Sequence, residues 1–368
     1  MRFGIRLLVL VAFSLLLSSP KLISKGSADG GSNHQKRNER FGVSGGNIND
    51  ASRAFCCSGT LGALLTVGGT NYILSNNHVL GRSDQAVAGE DISQPGLIDN
   101  SCRVATVVAD FTTAPQLGSN VDAAIAELRP GTMDSTGYIE DIGVPSSIVV
   151  APSIGLSVAK SGRTTGFTTG TISSINTSVN VQYQKGCGSG KKFIVSYTNQ
   201  VVINSSIFSA GGDSGSLIVT SDSNHNPVAL LFAGSSTTTI GNPMGEVLDK
   251  ISEALNQPSG PPGKGRGAPR AAISLVGTTQ APSITTLPDN SPIPQDIERA
   301  DRAKGRHERD LMSRPGVLGV GVGGSENNSG EATIVVYFDR TSGRAPVLPA
   351  QVDNIRVRVI FTDPIVAY

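Results

Sequence analysis

The sequence predicts an all-β core, and two observations carry that prediction: its composition and the alternation of apolar runs with turn residues. Only 16% of the 368 residues are charged, 44 are glycine and none is tryptophan, a composition that suits short strands and tight turns better than long helices. Between residues 60 and 232, short apolar runs alternate with turn-forming residues, as they do in barrels and sandwiches. The predicted strands are Thr60–Val67, Tyr72–Ser75, Arg103–Asp110, Ala123–Leu128, Gly155–Val158, Gly170–Ile175, Val179–Tyr183, Phe193–Val195, Gln200–Ile203, Leu217–Thr220 and Val228–Phe232.

The N-terminus has the features of an export signal. Arg2 and Arg6 precede the apolar run Leu7–Leu17, which has the length of a signal-peptide core. The run is too short to span a bilayer, so a short membrane anchor is the less favoured alternative. We assign residues 1–28 to a signal peptide and predict that residues 29–54, rich in Gly, Ser and Asn, form a flexible leader. The expected location is secreted, periplasmic or at the cell surface, without stable membrane insertion.

Changes in composition divide the rest of the chain. Residues 55–255 hold the predicted strands and one helix, Pro243–Leu255, whose apolar residues recur at helical spacing. Residues 256–296 are rich in Pro, Gly, Ser and Thr, which predicts a semi-extended linker. We expect residues 297–368 to form a small α+β domain of unassigned role and unknown protein partner. Its predicted elements are a charged helix, Asp296–Met312, and the strands Val317–Val322, Ala332–Phe338 and Ile355–Phe361.

Charge and cysteine content limit the possible partners. The formal net charge of +1 creates no field that would attract nucleic acid or an anionic membrane. Four cysteines in an exported chain predict two disulfides. Because a bond between adjacent residues is strained, Cys56 and Cys57 are expected to bond to Cys102 and Cys187 in either of two arrangements. The cysteine spacing predicts no zinc site, and we expect neither a metal nor a cofactor.

Two of the candidate catalytic side chains are next to predicted strands. His78 follows Tyr72–Ser75, which would hold an imidazole at the end of a rigid element, where a general base is needed. A structural histidine is the alternative. Asp122 precedes an apolar run, and its burial would be costly unless a donor such as a histidine N–H met the carboxylate. A strand-start aspartate bonded to nearby backbone N–H groups is the alternative there.

The third candidate is Ser214, in the run Gly211-Gly212-Asp213-Ser214-Gly215-Ser216. The flanking glycines let the backbone turn tightly and approach a substrate carbonyl. The N–H groups of Gly212 and Ser214 could then converge on one oxyanion. An ordinary structural turn is the alternative interpretation.

Taken together, these segments resemble the His, Asp and Ser blocks of chymotrypsin-fold serine proteases, in that family's order. The resemblance runs from about Cys57 to Leu255. It rests on Asn-Asn-His-Val around His78, Val-Asp-Ala-Ala-Ile-Ala around Asp122, and the glycine-rich run around Ser214. The segment Lys160–Gly166 is similar to one in α-lytic-type secreted bacterial proteases. Tyr72–Leu80 and Gln94–Asn100 are similar to segments of bacterial trypsin-like proteins and of the narrow-leaf proteases of plants.

The resemblance implies a chymotrypsin-like double β-barrel and a secreted serine endopeptidase that acts on polypeptides. In that family's scheme, His78 is general base and then acid, Asp122 orients it, and Ser214 attacks to form an acyl-enzyme. The amides of Gly212 and Ser214 form the oxyanion hole. A cation is expected beside Asp213, for which Lys160 and Arg163 are the candidates.

Family position also implies where the primary specificity pocket lies. Its wall is expected to come from Phe208, Ser209, Phe232, Ala233, Gly234 and Ser235. No acidic base is present there, which disfavours Lys or Arg and favours a small or apolar substrate residue. Ala233 stands where many relatives carry a serine that supports the catalytic Asp.

Two other functions compete with this interpretation. A nucleophile-elbow esterase needs glycine two residues after the serine, where this chain has Ser216, and has the order Ser, Asp, His. A non-catalytic binding or scaffold protein on the same barrel fold, using its linker and C-terminal unit for partners, is the remaining alternative.

Overall fold

The computed structural model describes residues 34–188, 190–256, 272–279, 291–326 and 330–368. The predicted signal peptide lies outside the described residues. In chain order the strands are β1 (Val43–Asn47), β2 (Gly59–Leu61), β3 (Ala63–Val67), β4 (Thr70–Ser75), β5 (Asp91–Gln94), β6 (Thr106–Thr113), β7 (Ala124–Leu128), β8 (Ser157–Gly162), β9 (Gly166–Gln184), β10 (Lys192–Asn204), β11 (Leu217–Thr220), β12 (Pro227–Gly234), β13 (Thr238–Pro243), β14 (Ile273–Leu275), β15 (Val317–Gly324), β16 (Ala332–Asp339), β17 (Gln351–Val352), β18 (Ile355–Thr362) and β19 (Val366–Ala367). The helices are α1 (Asn77–Leu80), α2 (Met244–Leu255) and α3 (Pro294–Ser313), with a 3-10 turn at Leu97–Asn100.

The first barrel is built from the sheet β14-β3-β4-β7-β6-β5-β1-β2. β2 and β3 are consecutive and joined at Gly62, whose N–H donates to the Leu74 carbonyl at 2.9 Å, so the two ends of the sheet meet. Glycine is required at position 62 because a Cβ there would lie 1.9 Å from the Gly215 carbonyl oxygen of the second barrel. The interior is filled by fully buried aliphatic side chains, which remove their apolar surface from water: Leu61, Leu65, Ile73, Leu74, Val108 and Ile125.

The second barrel closes in the same way. β8, β9, β10, β13, β12 and β11 pair antiparallel in that order, and β11 pairs with β8 again to complete the ring. Its interior includes Val158, Ile172, Val201, Ile218 and Leu231. The prediction of an all-β fold of the double-barrel type is confirmed.

The C-terminal unit extends the second barrel instead of standing apart from it. β9 is 19 residues long, and its middle part, residues 174–179, pairs with β15, so that β15, β16, β18 and β17 continue the same sheet. α3 covers β15 and β16, with Ala300, Ala303 and Leu311 buried against them. The predicted helix and three strands of this unit are present, but the unit shares its sheet with the barrel.

The structure also differs from the predicted division of the chain at two other places. Phe41 and Val43 are fully buried in the first barrel and β1 pairs with β2 and β5, so the predicted leader of residues 29–54 contributes core and a strand. Within the predicted linker of residues 256–296, β14 pairs with β3 and Leu275 is buried. In both segments a few apolar residues within polar sequence complete a strand edge that would otherwise leave backbone groups unpaired.

Of the helices in the described ranges, none combines the length and the apolar character that crossing a bilayer requires.

Candidate active site

His78 lies where β4 ends and α1 begins. The residues that precede it are held by their side-chain amides. Asn76 donates from Nδ2 to the Asp122 carbonyl at 2.6 Å, and Asn77 donates from Nδ2 to the Pro115 carbonyl at 2.8 Å. Both asparagines are fully buried, so the backbone that leads into His78 is fixed, as a positioned side chain requires.

Asp122 is fully buried two residues before β7 and faces His78 with both oxygens. Its Oδ1 accepts the His78 backbone N–H at 3.1 Å, and its Oδ2 lies 2.6 Å from His78 Nδ1. Because an ionised carboxylate can only accept, Nδ1 carries the proton in this contact. A carboxylate that would be costly to bury alone is thereby satisfied, and the ring orientation of His78 is set.

A second donor reaches the same carboxylate from the second barrel. Tyr183 on β9 donates from Oη to Asp122 Oδ2 at 2.9 Å, and its Oη lies 2.6 Å from Tyr197 Oη on β10. Since the one proton of Tyr183 goes to Asp122, Tyr197 is the donor to Tyr183. Burial, followed by the negative charge of Asp122, raises the pKa of both phenols well above the usual range, so both remain donors.

Ser214 lies on the loop before β11, and the first barrel holds that loop. Thr60 donates its N–H to the Ser214 carbonyl at 2.8 Å and its Oγ1 to the Gly212 carbonyl at 2.9 Å. Gly212 has φ +98°, which a glycine adopts without strain. Ser214 Oγ donates to the Phe232 carbonyl on β12 at 3.1 Å. Within the described part of the chain, the N–H groups of Gly212 and Ser214 have no protein acceptor.

The side chain of Asp213 points into a fully buried site. Lys160 Nζ lies 3.6 Å from its Oδ2, and neither side chain has exposed surface. Thr164 and Thr165 donate their N–H groups to Oδ1, and Ala210 N–H and Thr165 Oγ1 donate to Oδ2. The other candidate cation, Arg163, does not pair with Asp213 among the described residues.

Arg163 pairs instead with Asp99 of the first barrel, through Nε and Nη2, both at 2.6 Å. The Arg163 backbone N–H donates to Thr60 Oγ1, and this bond places the long side chain within reach of the first barrel. Lys160 is on β8, directly opposite Ile218 of β11, and so lies beneath the Ser214 loop.

The six residues predicted to form the wall of the primary pocket divide into two groups. The side chains of Phe208 and Phe232 belong to the core: the Phe232 ring lies 4.9 Å from that of Tyr197, and Lys160 Nζ lies 6.0 Å from the centre of the Phe208 ring. Ala233 is likewise fully buried on β12. Ser209, Gly234 and Ser235 line an actual pocket, which holds the side chain of Tyr368.

The second ring nitrogen of His78 contacts the same residue. His78 Nε2 lies 2.9 Å from the Tyr368 carbonyl oxygen, and a carbonyl can only accept, so Nε2 also carries a proton. Burial lowers the pKa of His78, but the charge and hydrogen bond of Asp122 and the hydrogen bond to Tyr368 raise it by more. The net pKa lies above the usual range.

Two disulfides are present, in one of the two predicted arrangements. Cys56 bonds to Cys102 and Cys57 to Cys187. The second bond links the first barrel to the β9–β10 turn beside His78. Among the described residues, no cluster of three or more His, Cys, Asp or Glu side chains is placed to hold a metal ion.

Comparison with known proteins agrees with the two barrels. Residues 73–242 match the model of Peptidase family S64. This match, which spans less than half of the chain, is a similarity to a family of peptidases. The chain has a trypsin-like serine protease fold.

Several solved structures are similar to part of this chain. They include a glutamic acid-specific serine protease (20% identity, covering 57% of this chain and 96% of that one, TM-score 0.40). Thermobifida fusca protease A and Cellulomonas bogoriensis chymotrypsin each share 17% identity over 58% of this chain and 95% of theirs, with TM-scores of 0.39. No curated protein matches the chain.

Three parts of the site escaped sequence reasoning. Tyr183 and Tyr197 are ordinary strand residues in the sequence, and only the pairing of β9 with β10 brings their hydroxyls to Asp122. Asn242, which accepts the Asp122 N–H at 3.0 Å, lies next to the last residue of β13 and belongs to no recognisable motif. Tyr368 is 290 residues from His78, and no local pattern predicts their contact.

Proposed function

We propose that this peptidase is a secreted serine endopeptidase in which Ser214 attacks the substrate, His78 transfers protons and Asp122 orients His78. One observation carries the proposal: the hydrogen bonds of His78 Nε2 and Ser214 Oγ both lead to residue 368. Nε2 lies 2.9 Å from the Tyr368 carbonyl, while Ser214 Oγ and the Tyr368 N–H share the Phe232 carbonyl at 3.1 and 3.4 Å. A substrate residue bound as Tyr368 is would have its carbonyl beside the base and its N–H on the acceptor that also binds the nucleophile.

The proposed reaction has two halves. Ser214 Oγ bonds to the scissile carbonyl carbon while its proton passes to His78 Nε2. Collapse of the tetrahedral intermediate breaks the C–N bond, and His78 returns the proton to the leaving amine, which leaves an ester on Ser214. Water then attacks the ester as His78 removes its proton, and the Ser214 oxygen departs with that proton.

Two features support the stabilisation of charge in these steps. The N–H groups of Gly212 and Ser214, which have no acceptor among the described residues, supply the donors that an oxyanion needs, and one such donor accelerates turnover by about 10²–10³-fold in enzymes of this kind. Asp122 is held in place because its carboxylate accepts from Tyr183 and its backbone N–H donates to Asn242. The carboxylate favours the imidazolium that forms when His78 accepts the serine proton.

Secretion is the second part of the proposal. Two disulfides persist in oxidising compartments and are rare in the cytosol. The predicted signal peptide and the paired cysteines therefore favour the same destination, and the proposed substrate is an extracellular polypeptide.

The test is covalent labelling with a fluorophosphonate, followed by mass spectrometry of the labelled peptide. We expect the probe to label wild type on Ser214, and Ser214→Ala or His78→Ala to lower peptide turnover by about 10⁴-fold or more with the fold intact by circular dichroism. Ser196→Ala, on the exposed face of β10, is the matched control and should behave as wild type. Absence of labelling on Ser214 in every form of the chain would favour the non-catalytic scaffold.

A further inference from the structure

Residues 365–368 lie as an added strand in the proposed substrate groove, which is the cleft between β9 and β12 beside His78. β19 pairs antiparallel with β12, with Ala367 opposite Ala233 and Val366 opposite Gly234. On its other side, the Gln182 N–H donates to the Ile365 carbonyl at 2.9 Å. The segment 365–368 thus fills the space between β9 and β12 by main-chain pairing, which is how an extended peptide binds to a sheet edge.

The carbonyl of this segment reaches the groups proposed for chemistry. The Tyr368 N–H donates to the Phe232 carbonyl at 3.4 Å, and the Tyr368 carbonyl lies 2.9 Å from His78 Nε2. With both of its ring nitrogens protonated, His78 has no lone pair to receive the Ser214 proton. The contact therefore blocks the position of a scissile carbonyl and also silences the base.

The Tyr368 side chain fills the primary pocket. Its Oη donates to the Ser235 carbonyl at 2.8 Å. A Cβ on Gly234 would lie 2.3 Å from Tyr368 Oη and 2.6 Å from Cζ, so the absence of a side chain at position 234 makes room for the ring. Burial raises the pKa of Tyr368 to about 12, and the phenol remains a donor. A carbonyl at the end of the pocket matches a phenolic O–H and disfavours a carboxylate.

The segment is held close to the groove by the C-terminal unit. Thr362, at the end of β18, lies with its Oγ1 2.5 Å from Ser235 Oγ. Asp363 pairs with Arg340 at 2.6 Å and accepts a hydrogen bond from Ser236. Ile365 is buried. Two residues separate Asp363 from Val366, so the groove is filled by an intramolecular occupant at high effective concentration.

We propose that residues 365–368 act as a tethered inhibitor of this peptidase, with Tyr368 in its primary pocket, and that the same pocket selects tyrosine in a substrate. The proposal rests on the proposed function of Ser214, His78 and Asp122. It refines the expectation of a small or apolar residue, because the pocket accommodates an aromatic ring and bonds its hydroxyl group.

The first test compares the rates at which a fluorophosphonate labels Ser214 in the full-length chain and its variants. Tyr368→Ala removes the ring, so residues 365–368 should bind the groove less tightly and the open groove should become more populated. We therefore expect labelling to accelerate at least about tenfold. Tyr368→Phe keeps the ring but loses the bond to Ser235, and should give a smaller acceleration. Val347→Ala, on the exposed surface of the same unit, should leave the rate unchanged.

The second test uses free peptides and needs no correctly placed tail. Acetyl-Ile-Val-Ala-Tyr should slow the labelling of Tyr368→Ala competitively, and acetyl-Ile-Val-Ala-Lys should have no effect. On Tyr368→Ala, we expect kcat/KM for reporter peptides ending in Tyr at the cleaved bond to exceed that for Lys or Glu by about 100-fold or more, and for Phe by a smaller factor.

The outcomes separate this proposal from the one it rests on. Equal labelling of wild type and Tyr368→Ala, both on Ser214, would overturn the inhibitor and leave the serine peptidase standing. A preference for Lys or Glu over Tyr would overturn the pocket assignment. Failure of Tyr368→Ala to react at all, as for Tyr368→Ala combined with Ser214→Ala, would overturn the proposed function itself.

Discussion

Tyr183 Oη donates a hydrogen bond of 2.9 Å to Asp122 Oδ2, so a side chain of the second barrel holds the carboxylate that the first barrel presents to His78. The same oxygen lies 2.6 Å from His78 Nδ1. The orientation of the His78 imidazole therefore depends on how the two barrels are positioned relative to each other.

Removing that hydroxyl tests whether Tyr183 positions the proposed catalytic pair. In Tyr183→Phe the Asp122 carboxylate loses one donor, which costs about 1.5–3 kcal/mol for a bond to a charged group. We expect kcat to fall roughly tenfold to a hundredfold with KM little changed, as measured by steady-state kinetics in the Tyr368→Ala background. Tyr197→Phe keeps the Tyr183–Asp122 bond and should show a smaller loss. A change of kcat below about twofold in Tyr183→Phe would mean that Asp122 needs no help from this side.

The buried pair of Lys160 and Asp213 should govern stability more than recognition. Lys160→Met leaves the Asp213 charge in a site without exposed surface, and removal of one partner of such a pair costs about 3–5 kcal/mol. Urea unfolding should show this loss, and Lys160→Met with Asp213→Asn should recover part of it, because no unpaired charge then remains in the buried site. Lys250→Met, which removes a partly exposed lysine paired with Glu253, should cause no measurable change. If the losses of Lys160→Met and Asp213→Asn measured singly add up to the loss of the double variant, the two groups are not coupled.

The periodicity of the sequence was sufficient to predict most strands but not the ends of the molecule. β6, predicted as Arg103–Asp110, runs from Thr106 to Thr113, because pairing with β5 and β7 and not the apolar run sets its limits. Phe41 and His34 are buried although their neighbours are polar. Their burial comes from contacts with residues about a hundred positions away, such as Asp141, and local composition carries no record of these contacts.

The site shows the same division between local and distant information. His78, Asp122 and Ser214 were predictable because each lies in a short motif with its own chemical logic. Lys160 was distinguished from Arg163 only by the structure, since both belong to the same hairpin and the distance of each to Asp213 depends on strand register. The contact of Tyr368 with His78 needs the complete fold, including the C-terminal unit.

The two disulfides should differ in their contribution to stability. The Cys57–Cys187 bond closes a loop of 130 residues in sequence separation and the Cys56–Cys102 bond one of 46, so the loop-entropy relation assigns the first about 1 kcal/mol more. We expect Cys57→Ala/Cys187→Ala to unfold at lower urea concentration than Cys56→Ala/Cys102→Ala. It should also lower activity more, since Cys57 and Cys187 both line the cleft beside His78. Equal losses in the two double variants would contradict this order.

The hold of residue 368 on the groove should weaken as pH rises. The bond from His78 Nε2 to the Tyr368 carbonyl exists only while Nε2 is protonated, so occupancy of the groove and proton uptake favour each other. His78 also faces Asp122, the hydroxyl of Tyr183, and Asp50, while Arg82 lines the same cleft. Burial raises the pKa of Asp50 to about 6, and above that pH its negative charge also favours protonated His78.

The measurement is the rate of Ser214 labelling in wild type and Tyr368→Ala between about pH 6 and 9, where a histidine of raised pKa loses its proton. In wild type the midpoint should lie at higher pH than in Tyr368→Ala, because without the ring the segment leaves the groove more often, and the main-chain carbonyl of residue 368 then no longer helps to raise the His78 pKa. The labelling rate of Tyr368→Ala divided by that of wild type should be largest at low pH and decrease as pH rises. Asp50→Asn should lower the midpoint in both backgrounds, since it removes a negative charge that favours protonated His78. A ratio independent of pH would show that Tyr368 occupies the groove without engaging the proton on His78 Nε2.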